Sequence, residues 1–199
     1  AIRVNPLNWN KIISDANTIL LDVRNTFEIA IGKFENAINL NTVSFREFPS
    51  KIISKKYNKN AKVAMYCTGG IRCEKASAYL RSIGYKDLYQ LDGGIIKYLE
   101  YYKEKKHETL WSGECFVFDE RVTIDQNLKK GNYLQCYGCR MPLSEDDLIS
   151  DKYIKGIVCP HCYKNRSNKQ KLSSFMRQKQ INIAERSNKN HSFKKITLG

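Results

Sequence analysis

Lys62-Val63-Ala64-Met65-Tyr66 runs directly into Cys67-Thr68-Gly69-Gly70-Ile71-Arg72, and then into a segment with apolar residues at Ala76, Tyr79, Leu80 and Ile83. This stretch constrains the chain more than any other. The apolar run reads as a buried strand, and the spacing after it predicts a helix over Cys73 to Ile83, stopped by Gly84. A strand that turns into a helix through a short glycine-opened loop is the unit from which parallel sheets covered by helices are built. The same loop carries chemistry. Its amides and the positive end of the helix dipole converge on the Cys67 sulfur, so a thiolate is stabilised there and its pKa is expected below the free value of roughly 8.5. Arg72 adds a charge that does not titrate. Cys67 is the expected nucleophile, and Thr68, Gly69, Gly70, Ile71 and Arg72 form its cradle. Cys73 is read as a small core residue; the alternative is that it resolves an adduct on Cys67.

The strand and helix alternation extends across the first zone, where Thr18 to Val23 and Asp87 to Leu91 read as two more strands. Residues 1–105 are therefore expected to form an α/β domain with a parallel sheet flanked by helices, and the charged run Lys103 to Glu108 marks its boundary. Residues 111–165 hold paired cysteines among short strands and turns. Residues 166–199 read as a basic tail, helical or partly disordered. No internal repeat is visible.

Seven cysteines are an odd number, and four of them fall in Cys-x-x-Cys pairs, Cys136 with Cys139 and Cys159 with Cys162, nineteen residues apart. That pattern suits a reducing compartment and metal or catalytic use better than a disulfide scaffold. Each pair brackets a knuckle, Tyr137-Gly138 or Pro160-His161, so that two thiolates converge from each hairpin on one tetrahedral ion. Zinc is the expected metal; a four-thiolate iron and redox-active pairs are the alternatives. A closed four-thiolate shell folds its module and does not activate water. His161 is read as an exposed knuckle residue, with a ligand role as the alternative.

Lys and Arg number 34 against 20 acids, a net charge of +14, which points to a polyanionic partner. From Tyr163 onward there are ten basic residues and a single acid, Glu185, so this tail alone carries +9. Leu172, Phe175, Met176 and Ile183 can share one helical face by which the tail docks. Lys169, Lys171, Arg177, Lys179 and Arg186 can then meet the phosphates of RNA. A solvated basic helix is the alternative. No eighteen-residue apolar run and no signal-peptide stretch occur, so a cytoplasmic protein without a membrane partner is expected.

The first zone resembles rhodanese domains. Leu20-Leu21-Asp22-Val23-Arg24 with Glu28, Gly32 and Ala37-Ile38-Asn39-Leu40 is similar to their opening signature. The Cys67 to Arg72 loop is similar to their active-site loop, and Leu91-Asp92-Gly93-Gly94-Ile95 to their closing strand and turn. Lys33 and Asn36 stand where many of them carry His and Gly. Phosphatase relatives have one more loop residue, whereas this loop spans the six positions of the sulfur-handling type. Asp22, Arg24 and Glu28 are read as scaffold charges.

Longer strings resemble one family more closely. These are Ser44 to Pro49, Met65 to Ser77, Gly113-Glu114-Cys115-Phe116-Val117-Phe118-Asp119-Glu120-Arg121, and Cys139-Arg140-Met141-Pro142-Leu143. They are similar to the rhodanese-related tRNA uridine hydroxylases, the TrhO family. The resemblance implies oxygen-dependent hydroxylation of the tRNA wobble uridine at C5, giving 5-hydroxyuridine. It further implies O2 as co-substrate, an electron donor not identified by the sequence, structural zinc, no organic cofactor, and Cys67 as catalytic cysteine. Family members usually begin with a further small α/β domain of about a hundred residues, and nothing here matches it. The chain is therefore expected to be a fragment or a shorter form. Two rival functions fit the same residues: sulfur transfer through a Cys67 persulfide, and RNA binding by a zinc protein without catalysis.

Overall fold

The computed structural model describes residues 1–106 and 108–187. The chain divides into two compact units, Ala1–Gly131 and the part from Asn132 onward.

The first unit begins with β1 (Ile2–Val4), α1 (Pro6–Ile13), β2 (Thr18–Asp22), α2 (Thr26–Ile31), β3 (Gly32–Phe34) and β4 (Ile38–Asn39). A 3-10 turn at Phe45–Glu47 leads into α3 (Phe48–Ser54), followed by β5 (Lys62–Tyr66), α4 (Ile71–Ser82), β6 (Leu88–Leu91) and α5 (Gly94–Lys105). Five strands pair in the order β1-β6-β5-β2-β4, and every pairing is parallel. The expected strands and the helix after the loop are all present, and Gly84 ends α4 with φ +98° while the Tyr85 amide donates to the Leu80 carbonyl at 3.1 Å.

The middles of the central strands β2 and β5 carry consecutive apolar residues, Leu20-Leu21 and Val63-Ala64-Met65, because both faces of the sheet are covered. Leu20, Ala64, Tyr66 and Leu91 share one core with Trp9 of α1 and Ile95, Tyr98 and Leu99 of α5. The alternate residues Leu21, Val63, Met65 and Leu88 join Phe48 and Ile52 of α3 and Ala76 and Leu80 of α4. This is the two-residue period of a strand dividing its side chains between two layers. The sulfur-bearing loop leaves the carboxyl end of the central strand β5, where the edges of the sheet do not interfere with it.

The first unit runs further than the expected limit at residue 105. β7 (Trp111–Gly113) pairs antiparallel with β3, and β8 (Cys115–Phe116) pairs antiparallel with β9 (Thr123–Ile124). Trp111, Cys115, Val117 and Ile124 are buried in the same core as Phe34, whose ring meets Trp111 edge-on at 5.1 Å. The segment from 111, grouped on sequence with the cysteine pairs, thus packs with the sheet. The reason is non-local: its pairing partner β3 lies far back in the chain, beyond the reach of any periodicity window.

The second unit contains the hairpin of β10 (Leu134–Gln135) and β11 (Pro142–Leu143), then α6 (Glu145–Ile149) and α7 (Asn168–Arg186). Ser144 with Asp147 and Ser167 with Gln170 form capping boxes that start the two helices. The apolar stripe of α7 does not do the docking. Leu172 is 61% exposed and Phe175, Met176 and Ile183 about half exposed, while the buried residue is Ser174. Polar anchors hold the helix instead. Arg166 donates to the Gln170 carbonyl at 2.9 Å and to Ser174 Oγ at 2.7 Å, and Arg177 donates to the Gly156 carbonyl at 2.9 Å. The end of the basic tail lies outside the described residues. No helix among the described residues is long and apolar enough to cross a membrane.

Candidate active site and metal centre

Cys67 follows the last residue of β5 and is 1% exposed. The Gly70 amide donates to its Sγ at 3.1 Å. The loop is held open from outside by the first turn of α5, where the Ile95 amide donates to the Cys67 carbonyl at 3.0 Å and the Ile96 amide to the Thr68 carbonyl at 3.2 Å. With those carbonyls turned outward, the loop amides face the sulfur. Gly94 permits the approach: its φ is +68°, and a Cβ there would lie 2.5 Å from the Cys67 carbonyl and 2.6 Å from that of Thr68.

The Cys67 thiol is lowered from 9.0 to about 6, first by a hydrogen bond from the Cys73 thiol. Burial opposes this, while the amides of Cys73 and Arg72 and the Arg72 charge reinforce it. Cys73 moves the other way, well above 9.0, because it is fully buried and faces the Cys67 sulfur. The pair therefore has a defined division of labour at neutral pH: one thiolate and one thiol donating to it.

Arg72 is less free than its sequence position implies. Its guanidinium makes a two-pronged pair with Glu28 of α2, at 2.6 and 2.7 Å, and a 3.4 Å contact to Thr68 Oγ1. Burial works against its charge, but the Glu28 hydrogen bonds and charge outweigh it and hold its pKa up. Glu28 has no side-chain exposure. It also accepts from the Asn25 amide, so the start of α2 places it. Glu28 is thus a positioning residue for the cradle, a role its place in the signature string alone did not reveal. Arg24 fits the scaffold reading: it pairs with Asp22 at 2.6 Å, donates to the Gly32 carbonyl at 2.7 Å, and lies under the Trp111 ring.

The hairpin of β8 and β9 borders the loop. Thr68 Oγ1 is 3.5 Å from the Phe116 carbonyl, and the Arg72 guanidinium carbon sits 5.7 Å from the centre of the Phe118 ring. Cys115, on the same hairpin, is buried, and burial pushes its thiol up to about 12, so it is unreactive.

In the second unit the Sγ atoms of Cys136, Cys139, Cys159 and Cys162 all lie within 4.8 Å of one another. The Cys139–Cys159 and Cys159–Cys162 separations are 3.6 and 3.8 Å. Zinc–sulfur bonds of about 2.3 Å at tetrahedral angles require sulfurs about 3.8 Å apart, so the four thiols fit a zinc ion. The Gly138 amide donates to Cys136 Sγ at 3.3 Å and the Cys159 amide to Cys162 Sγ at 3.4 Å. His161 takes no part and pairs with Asp147 at 3.1 Å.

Of the candidate phosphate contacts, Lys169, Lys179 and Arg186 are exposed. Lys171 lies 4.7 Å from the centre of the Tyr163 ring, and Arg177 is engaged with the Gly156 and Tyr137 carbonyls. Arg177 is therefore engaged as an anchor of α7.

Residues 8–101 match the family model of the Rhodanese-like domain. A rhodanese-related protein of Thermoplasma volcanium is 27% identical; the match covers 51% of this chain and 93% of that one, with a TM-score of 0.43. A rhodanese-like domain protein of Staphylococcus aureus is 25% identical, over 49% of this chain and 91% of that one, with a TM-score of 0.41. The human single-domain sulfurtransferase is 22% identical, over 50% and 96%, with a TM-score of 0.42. The parallel sheet, the six-position loop at the end of its central strand and the family match agree on a rhodanese-like fold for residues 8–101.

Proposed function

We propose that this chain modifies tRNA by hydroxylating the wobble uridine at C5, with Cys67 as the catalytic residue. The observation that carries this reading over simple sulfur transfer is the pairing of Arg72 with Glu28. Thiosulfate is a dianion, and a Cys67 thiolate beside a guanidinium already paired with Glu28 gives it little attraction. A neutral nucleobase meets no such penalty. The string from Gly113 to Arg121, one of those that resemble the tRNA uridine hydroxylases, borders the Cys67 loop through Phe116 and Phe118.

The chemistry follows from an ionised thiol. Addition of the Cys67 sulfur to uridine C6 places negative charge on C5 and the C4 carbonyl oxygen, making C5 a nucleophile toward O2; the peroxide formed on C5 takes up a proton to become the hydroperoxide. A two-electron donor, in the simplest case two thiols going to a disulfide, reduces the resulting hydroperoxide to the hydroxyl and water. Loss of the C5 proton and departure of the thiolate restore the ring. The loop amides and Arg72 stabilise the sulfur as leaving group. Zinc on Cys136, Cys139, Cys159 and Cys162 would keep the second unit folded and supply no redox chemistry. The exposed Lys169, Lys179 and Arg186 would meet tRNA phosphates, and the reaction would take place in the cytoplasm, where tRNA is.

The match of residues 8–101 to rhodanese-like domains favours a second reading, sulfur transfer through a Cys67 persulfide. Nucleoside analysis of tRNA from a deletion strain, complemented with the wild-type chain or with Cys67→Ser, separates the readings. Loss of 5-hydroxyuridine that only the wild type restores is expected. Full restoration by Cys67→Ser overturns the catalytic role. An unchanged profile, together with a one-sulfur mass increase of the protein after thiosulfate, replaces it with sulfur transfer.

A further inference from the structure

Beside the buried nucleophile stands an aromatic ring that nothing so far uses. Phe118, in the loop between β8 and β9, is 72% exposed. It is fixed all the same. Its ring meets Phe116 edge-on at 5.0 Å, and Phe116, itself buried, meets Phe27 edge-on at 5.2 Å. The Arg72 guanidinium lies on it at 5.7 Å. The loop is closed behind it, with the Val117 amide donating to the Val122 carbonyl at 2.9 Å and Asp119 pairing with Arg121 at 2.6 Å. Single exposed apolar side chains are ordinary, but this ring is held in place next to Arg72 of the Cys67 loop while 72% of it stays exposed.

We propose that Phe118 is a specificity-determining residue that stacks on the target nucleobase and presents it to Cys67. This deepens the proposed function and rests on its premise that the substrate is a base in RNA. The argument is one of chemical match. A small sulfur-bearing anion, such as a simple sulfur donor, gains nothing from an exposed π-face, since the face of a benzene ring repels negative charge. A flat, neutral pyrimidine gains from it. Arg72 then has two roles joined in one residue: its amide and charge act on the Cys67 sulfur, and its guanidinium packs against the stacking ring. Phe118 touches no reacting atom by itself; it fixes where the base lies.

The test measures binding of two RNAs to the full chain: a tRNA anticodon stem-loop with uridine at the wobble position, and the same RNA with an abasic wobble site. Phe118→Ala should weaken binding of the uridine RNA about tenfold, within the range of one base–aromatic stack, and leave the abasic RNA unaffected. Phe118→Tyr, which keeps the flat ring, should restore the difference, and Phe118→Leu, which keeps the bulk, should not. Equal binding of the uridine RNA by the wild type and Phe118→Ala overturns the proposal. So does an equal loss for both RNAs, which would mean that the ring only steadies Arg72. The two proposals fail separately. A base-dependent loss in a protein that makes no 5-hydroxyuridine sustains stacking and sinks the reaction. Hydroxylation with an unchanged KM in Phe118→Ala sinks stacking and leaves the reaction standing.

Discussion

Two turns in this molecule aim a glycine amide at a cysteine sulfur, Gly70 at Cys67 from 3.1 Å and Gly138 at Cys136 from 3.3 Å. The donor is three residues after Cys67 but two after Cys136, at similar distances, and the outcome is set by what else lies within reach. Around Cys136 three further sulfurs converge, so that several thiolates compete for the same space and a cation is required to hold them together. At Cys67 there is one neighbouring thiol, Cys73, buried too deeply to ionise and therefore a donor. One arrangement suits a metal-ligand set, the other a single reactive thiolate. The lesson is that an amide-stabilised sulfur has no fixed role; the number and protonation of its neighbours decide it.

The comparison can be broken most severely at the metal. Structural zinc in a four-thiolate site contributes folding free energy on the order of 10–16 kcal/mol. Chelation, or Cys159→Ser, should therefore make residues 132–187 sensitive to protease while Ala1–Gly131 stays resistant, with loss of about one zinc per chain by elemental analysis. Persistent resistance of the second unit would show that its fold does not depend on the four sulfurs.

A smaller effect is expected from Gly94→Ala, which drives a Cβ toward the Cys67 and Thr68 carbonyls at a left-handed backbone position. The cost is about 1–3 kcal/mol, visible as a fall in Tm of several degrees, and alkylation of Cys67 should change because the loop shifts. An unaltered Tm would mean that α5 does not clamp the loop.

The protonation half of the comparison is open to a pH profile. Alkylation of Cys67 should rise through pH of about 6 and level off above it. Removing the first cause of that low value, by Cys73→Ala, should move the midpoint up toward 9.0. Because the folded pKa lies below the unfolded one, ionisation of Cys67 contributes stability in full above pH 9 and the contribution is lost as pH falls through about 6. A midpoint unmoved in Cys73→Ala would assign the shift to the loop amides and the Arg72 charge.

The smallest effect concerns the basic helix. Lys169→Ala with Lys179→Ala should lower the slope of log affinity for tRNA against log salt by about 0.7–0.9 per lysine, with no change in Tm. Arg177→Ala should instead lower the stability of the second unit, since its partners are backbone carbonyls. A salt slope unchanged in the double lysine variant would make this surface merely solvated.

Legibility in the sequence followed the range of the interactions. The strand, loop and helix around Cys67 and both Cys-x-x-Cys knuckles depend on neighbours within a few residues, and they were readable. The Arg72–Glu28 pair, the partnership of β3 with β7 and the position of Phe118 beside Arg72 each join segments tens of residues apart, and no local pattern announces them. The α7 stripe misled for a related reason: helical periodicity shows which residues share a face, but not which face is covered. Here Arg166, Ser174 and Arg177 cover theirs by hydrogen bonds, and the apolar residues stay exposed.

The sequence by itself determined the kind of unit that holds Cys67, the ligand set for a metal and the sign of the charge on the tail, because composition, spacing and backbone preference act locally. Only the tertiary structure decided that the Arg72 charge is met by Glu28, that a buried Cys73 helps to lower the Cys67 pKa, and that Trp111 to Gly131 belongs with the sheet. Those outcomes turn on burial. Taking charges and apolar rings out of water forces each to find a partner, and the chain finds it wherever folding brings one close.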